Sequence, residues 1–213
     1  MAKIPEIVLR KGKKVLLEPW FYNSVGGEPI KEMTIVELLY DGENLIVNFE
    51  CLDDRFVDLN SYKEDNTELW HQEVFEVFIA MGSEPPAEYL EIEINPNNAV
   101  FIAKITNPDL KGSGLKAELI SPEKSGISHN VTKGANMWKG FLKIPLAITN
   151  FSKEEPGDVY RVNFYRTILK EDQRDTAWQS TKDNTVYACW SSTMADEPAF
   201  HRSEYFGKIV IKD

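Results

Sequence analysis

Two glutamates, Glu91 and Glu93, stand two residues apart in the segment YLEIEINP, and a third, Glu76, lies in FEVFIAM. In a strand this spacing sends both side chains out of one face about 7 Å apart. Glycoside hydrolysis uses two carboxyl groups about 5–9.5 Å apart, so Glu76 with Glu91 or Glu93 is a candidate acid–base pair. The same residues also read as a hydrogen-bonding or solvated sheet face, the commoner use of alternating glutamate in an acidic protein. Aromatic residues supply a second kind of chemistry. Trp70 is flanked by Glu68, His71 and Gln72, and Phe200 lies among Pro, His and Arg in EPAFHRSEYFG. A sugar ring presents apolar C–H faces and hydroxyl edges, so a site for it pairs aromatic platforms with a few placed polar groups in a concavity.

Other chemistries find little support. The histidines, His71, His129 and His201, have no paired spacing of the kind zinc sites use. There is no nucleophile elbow and no glycine-rich phosphate loop. Asp53, Asp54 and Asp58 are candidate ligands for a structural calcium, with solvated loop acids as the plainer reading.

The chain has 213 residues, 42% hydrophobic and 11% aromatic, enough to bury a sizeable core. A formal charge of −10 argues against nucleic acid or an anionic membrane as the main partner and is compatible with a neutral ligand. No apolar run approaches the ~20 residues of a membrane span. The N-terminal MAKIPEIVLRKGKK does not read as a signal peptide, so the sequence reads as cytoplasmic. A chain whose leader had been removed, for secretion or the periplasm, would read the same way. Cys51 and Cys189 are expected to be buried free thiols.

The elements that must position these residues have strand character almost throughout. MTIVELLY and NLIVNFECLD are two strands joined by the short turn Asp41-Gly42-Glu43-Asn44. Strand patterns follow in FEVFIAM, YLEIEINP, AVFIAKITN, GLKAELIS, MWKGFLKIPL, VYRVNFYRTIL, TVYACWS and FGKIVIKD. Helix is confined to turns near 68–73 and 145–150, and the polar stretches 121–137 and 170–185 read as surface loops. About ten short strands with long loops predict an all-β fold: one antiparallel β-sandwich, immunoglobulin-like or jelly-roll-like, spanning 1–213 as a single domain. Residues 1–29 are an N-terminal extension packed on the sandwich or leading into it.

The period of two assigns faces. Phe75, Val77 and Ile79 share a core face, as do Leu90, Ile92 and Ile94, and Val162 and Phe164. The opposite faces carry Glu76 and Phe78; Glu91, Glu93 and Asn95; and Arg161, Asn163 and Tyr165. Three strands thus offer a face dense in hydrogen-bonding groups.

LWHQEVFEVFI, with Trp70, Gln72, Glu73 and Glu76 in order, resembles the W-E-Q-D-x-V-E-[IV]-F segment of family 9 carbohydrate-binding modules, a DOMON-like β-sandwich group. YLEIEINP, the VNFYR strand, Cys189-Trp190-Ser191 and FHRSEYFGKIVI are similar to later segments of that family, so the match runs over about residues 30 to 213. The resemblance implies a β-sandwich that clamps a sugar, at a chain end, between two aromatic rings, here Trp70 and Phe200. It implies that Glu76 bonds sugar hydroxyls and that Tyr165, with Asn163 beside it, falls at a ligand-contacting strand position. It also implies structural calcium. The family's sugar-binding Arg has no counterpart; Glu91 or Glu93 stands there, and Arg166 or Arg202 is a candidate to supply the charge from elsewhere. Family members occur joined to xylanases and as free-standing proteins.

The leading expectation is non-catalytic carbohydrate binding. The alternatives are a sugar-active enzyme using the paired glutamates, and a sandwich that acts as a protein-interaction module without a ligand.

Overall fold

The structure, a computed structural model, describes residues 4–17, 20–151, 157–174 and 177–212. Fourteen strands are present among them. In chain order they are β1 (Glu6–Arg10), β2 (Lys14–Leu16), β3 (Tyr22–Asn23), β4 (Thr34–Tyr40), β5 (Asn44–Cys51), β6 (Val74–Met81) and β7 (Glu88–Ile94). There follow β8 (Val100–Thr106), β9 (Lys116–Leu119), β10 (Ser128–Lys133), β11 (Trp138–Pro145), β12 (Val159–Leu169), β13 (Thr185–Cys189) and β14 (Gly207–Lys212).

They form two sheets. The larger runs β1-β14-β12-β6-β7-β8-β9, with β13 pairing β12 and β3; the smaller runs β10-β11-β5-β4-β2. All ten strands expected from the sequence are present, and the two sheets make a β-sandwich. The turn between β4 and β5 forms because Asp41 Oδ1 accepts the backbone N–H of Glu43 and Asn44, at 3.0 and 2.8 Å. Gly42 supplies the positive φ of 114° that the turn needs.

Two regions differ from the sequence reading. Residues 128–133, expected in a loop, form edge strand β10, whose residues other than His129 and Val131 are exposed, leaving little alternation to read. In the N-terminal segment the described strands enter both sheets: β1 pairs in parallel with β14, and β2 pairs with β4.

The core between the sheets comes from the alternating positions the period of two selected. Phe75, Val77, Ile79, Leu90, Ile92, Ile94, Val162 and Phe164 are all 0% exposed and belong to one cluster with Val36, Val47 and Phe49. Phe49 and Phe75 stack across the sandwich at 4.3 Å. Cys51 and Cys189 are buried and free, and burial pushes both thiols up to about 12.

The outer face of the larger sheet is not a simple solvated surface. Val74, Phe78, Ala80, Tyr89, Phe101, Ala103, Tyr165 and Phe206 form a second buried cluster there. Loops fold over this face, which is why β6 is buried on both sides. That covering turns a sheet face into a cleft.

Candidate functional site

The cleft, of about 500 Å³, opens on this outer face. Its floor is set by strand register. Glu76 on β6 lies directly opposite Glu93 on β7, and Phe78 opposite Glu91. Facing residues and residues two apart share a side of the sheet, so Glu76, Glu91 and Glu93 converge. One carboxylate oxygen from each lies within 4.8 Å of the others. They are 2%, 6% and 0% exposed.

Burial governs their protonation. It pushes Glu76 well above the usual carboxylate range, with the neighbouring Glu91 charge adding to the rise. Glu93 rises for the same reason, reinforced by the charges of Glu76 and Glu91. Burial lifts Glu91 to about 8. Desolvation penalises each charged form, and like charges at this spacing penalise it again. At neutral pH the cluster therefore holds protons and offers O–H donors alongside carbonyl acceptors.

The walls are aromatic. Trp70 is 38% exposed and meets Phe101 edge-on at 5.2 Å. It sits in a 3-10 turn, Leu69–His71, which is fastened from outside: Ser180 Oγ donates to the Trp70 carbonyl at 2.9 Å and the Ser180 N–H to the His71 carbonyl at 2.7 Å. Below the turn, Gln72 donates to the Trp178 carbonyl at 3.0 Å and accepts the Ser61 N–H at 2.7 Å. Phe200 stacks on Tyr165 at 4.3 Å, and the Tyr165 hydroxyl donates to the Phe200 carbonyl at 2.7 Å. The loop carrying Phe200 is thus tied to the sheet by the residue it stacks on.

Of the residues selected from sequence, Trp70, Glu76, Glu91 and Phe200 line this one cleft. Glu93, 0% exposed, is not among the residues lining the cleft. Tyr165 is fully buried and supports Phe200. Asn163 is also fully buried: it donates to the Ser191 carbonyl at 2.9 Å and accepts the Ser191 N–H at 2.9 Å, clasping β12 to the segment that follows β13.

The two arginines are elsewhere. Arg166 continues the inward series Val162, Phe164, Arg166 and is 0% exposed between the sheets. There it donates to the Leu52 carbonyl at 3.0 Å and the Met33 carbonyl at 3.2 Å, and it faces Asp54 Oδ2 at 3.4 Å. Arg202 pairs with Glu204 and lies over the Tyr205 ring, outside the cleft. The loop acids considered for calcium do not assemble either. Asp54 is taken by Arg166 and by the Trp138 indole N–H at 2.8 Å, and Asp58 faces Lys133 at 3.8 Å.

The sequence reading weighed His201 only as a zinc ligand and set it aside, and it passed over Phe101. His201 stacks on Phe78 at 5.1 Å, its Nδ1 is 2.6 Å from the Tyr89 hydroxyl, and its Nε2 is 3.9 Å from Glu91. Burial lowers its pKa to about 4, so the imidazole is neutral. Phe101 was available from alternation, since it faces away from the inward-pointing Val100 and Ile102.

Comparison with solved structures identifies the architecture. A candidate carbohydrate-binding protein from Bacteroides uniformis superimposes with a TM-score of 0.69 at 13% identity, covering 99% of this chain and 100% of its own. A family 9 carbohydrate-binding module from Caldicellulosiruptor kristjanssonii, solved with cellotriose, gives 0.54 at 14% identity over 97% and 93% of the two chains. The fold is that of a family 9 carbohydrate-binding module. The glucose complex of a family 9 module from the same organism gives 0.53 at 13% identity, over 97% of this chain and 95% of that one. In sequence, an extracellular protein from Arthroderma benhamiae is 29% identical over 203 residues, 90% of this chain and 86% of its own. No family model matches the chain.

Proposed function

We propose that this family 9-like sandwich binds carbohydrate without turning it over, in the cleft between Trp70 and Phe200. One observation carries the reading: two aromatic residues on separate, externally fastened loops line a cleft of about 500 Å³ whose floor presents Glu76 and Glu91. That volume suits a small ligand, and the mixture of ring faces with a few buried polar groups suits one with apolar faces and hydroxyl edges. The protonated carboxyls both donate to and accept from sugar hydroxyls, which a carboxylate cannot do. The structural neighbours solved with glucose and cellotriose support the same ligand class. Titration calorimetry with glucose, cellotriose and xylo-oligosaccharides tests it. Saturable binding weakened at least about tenfold by Trp70→Ala is the expected result; binding indifferent to that substitution overturns the assignment of the platform.

One observation favours a second reading, sugar hydrolysis: Glu91, held protonated up to about 8, is suited to act as an acid. Against it, Glu93 is 0% exposed, and burial pushes Glu76 well above the usual carboxylate range too, which leaves the cleft without a carboxylate to act as nucleophile or base. Turnover of aryl glycosides that disappears in Glu91→Gln would establish this reading.

A further inference from the structure

The floor of the cleft has a property that hydrogen bonding to a sugar does not require. Glu76, Glu91 and Glu93 bring three carboxyl groups together, and among the described residues no Lys or Arg forms an ion pair with any of them. Both oxygens of Glu93 are buried without a hydrogen-bond partner, at 0% exposure. A buried polar atom of this kind carries a desolvation cost. Glu93 points into the cluster from the position facing Glu76.

His201 stands beside this cluster in the form a metal ligand takes. Its Nε2 faces Glu91 Oε1 at 3.9 Å, and its other ring nitrogen is engaged by the Tyr89 hydroxyl at 2.6 Å. With Nδ1–H donating to Tyr89, the Nε2 lone pair is free, and this second contact fixes the ring's orientation. The ring is further held flat against Phe78.

We propose that Glu76, Glu91, Glu93 and the Nε2 of His201 form a divalent-cation site at the floor of the cleft, with Mn²⁺ or Zn²⁺ as its ions. Three carboxylates with one imidazole suit Mn²⁺ and Zn²⁺ better than Ca²⁺, which takes six to eight oxygens. The three carboxylate separations fit after a small contraction, since ligands about 2.0–2.2 Å from one ion lie at most about 4.4 Å apart. His201, 3.9 Å from Glu91 but outside the group of oxygens within 4.8 Å of one another, joins by a larger shift of its ring. Metal binding displaces the cluster's protons into solvent, so affinity rises with pH. The site's open side faces the cleft, where water or a ligand oxygen completes the coordination.

The test uses the whole chain, stripped with EDTA and dialysed, without any sugar. Titration calorimetry with MnCl₂ and, separately, ZnCl₂ is expected to show one saturable ion per chain. In buffers of different ionisation enthalpy it should also show release of at least one proton. Glu93→Gln keeps the shape and removes one ligand charge; at least a hundredfold loss of affinity is expected. His201→Gln is expected to cost at least tenfold. Mn²⁺ electron paramagnetic resonance provides a second readout, its free-ion signal falling on binding to the parent chain and not to Glu93→Gln. Absence of saturable binding by either ion overturns the proposal. So does binding that Glu93→Gln leaves unchanged, which would mean adventitious capture by the acidic surface, or tight binding by CaCl₂ alone. Because no sugar is present, these outcomes leave the carbohydrate reading to its own experiment.

Discussion

Glu76 and Glu93 face each other across β6 and β7, both buried, so two carboxyl groups occupy one spot on the outer face of the larger sheet. Directly opposed like charges destabilise a strand pair, and burial compounds the effect. The pair is tolerable because protons, or a cation, neutralise it. Stability and ligand binding at this site are therefore both linked to pH.

The sign follows from the raised pKa values. An unfolded glutamate loses its proton near 4.5, whereas folded Glu91 keeps its proton up to about 8. Between those values the folded chain binds more protons, so stability falls as pH rises through that window and levels off above it. Each such group contributes a slope of up to about 1.4 kcal/mol per pH unit. Denaturant melts of metal-free protein from pH 4 to 9 check this, and Glu93→Gln is expected to flatten the slope and raise stability at pH 7.

Trp70→Ala is expected to weaken sugar binding at least about tenfold, or about 1.4 kcal/mol, in calorimetry. Trp70 is 38% exposed and its surrounding turn is held by backbone bonds to Ser180, so the circular dichroism spectrum should be unchanged.

Arg166→Met is expected to destabilise the chain by about 3–5 kcal/mol, because it leaves Asp54 buried without its cation. Where the variant remains folded at low temperature, its sugar affinity should equal that of the parent, since Arg166 lies between the sheets. Melting curves and calorimetry read the two effects separately.

Gly207→Ala places a Cβ inside the Trp190 ring and against the Pro5 carbonyl at 3.1 Å. Overpacking there is expected to cost about 1–3 kcal/mol, read as a lowered midpoint in urea.

Much of this molecule was legible in its sequence, for local reasons. Period-two alternation at Phe75, Val77 and Ile79, and at Leu90, Ile92 and Ile94, places the core directly. The same rule, carried two steps past Val162 and Phe164, reaches Arg166 and sends it inward; its charge argued for a surface that the alternation denied. What local pattern does not contain is the covering of the outer face. His201 meets Tyr89 from 112 positions away, and the Trp70 turn is pinned by Ser180, 110 positions away. Neither pairing leaves a spacing signal. The three-stranded N-terminal segment was hidden for a similar reason, because its strands are two to five residues long and borrow their partners from β14, β13 and β4.

The parallel pairing of β1 with β14 has a consequence for how the chain is made. Glu6 aligns with Lys208, so β1 is made about two hundred residues before its hydrogen-bonding neighbour exists. Until β14 has been made, a ribosome-bound nascent chain carries β1 without its partner and β12 with an open edge. Long-range pairing of this kind slows folding and exposes a strand to stray partners. Closure of the larger sheet at β1 therefore waits on the synthesis of β14.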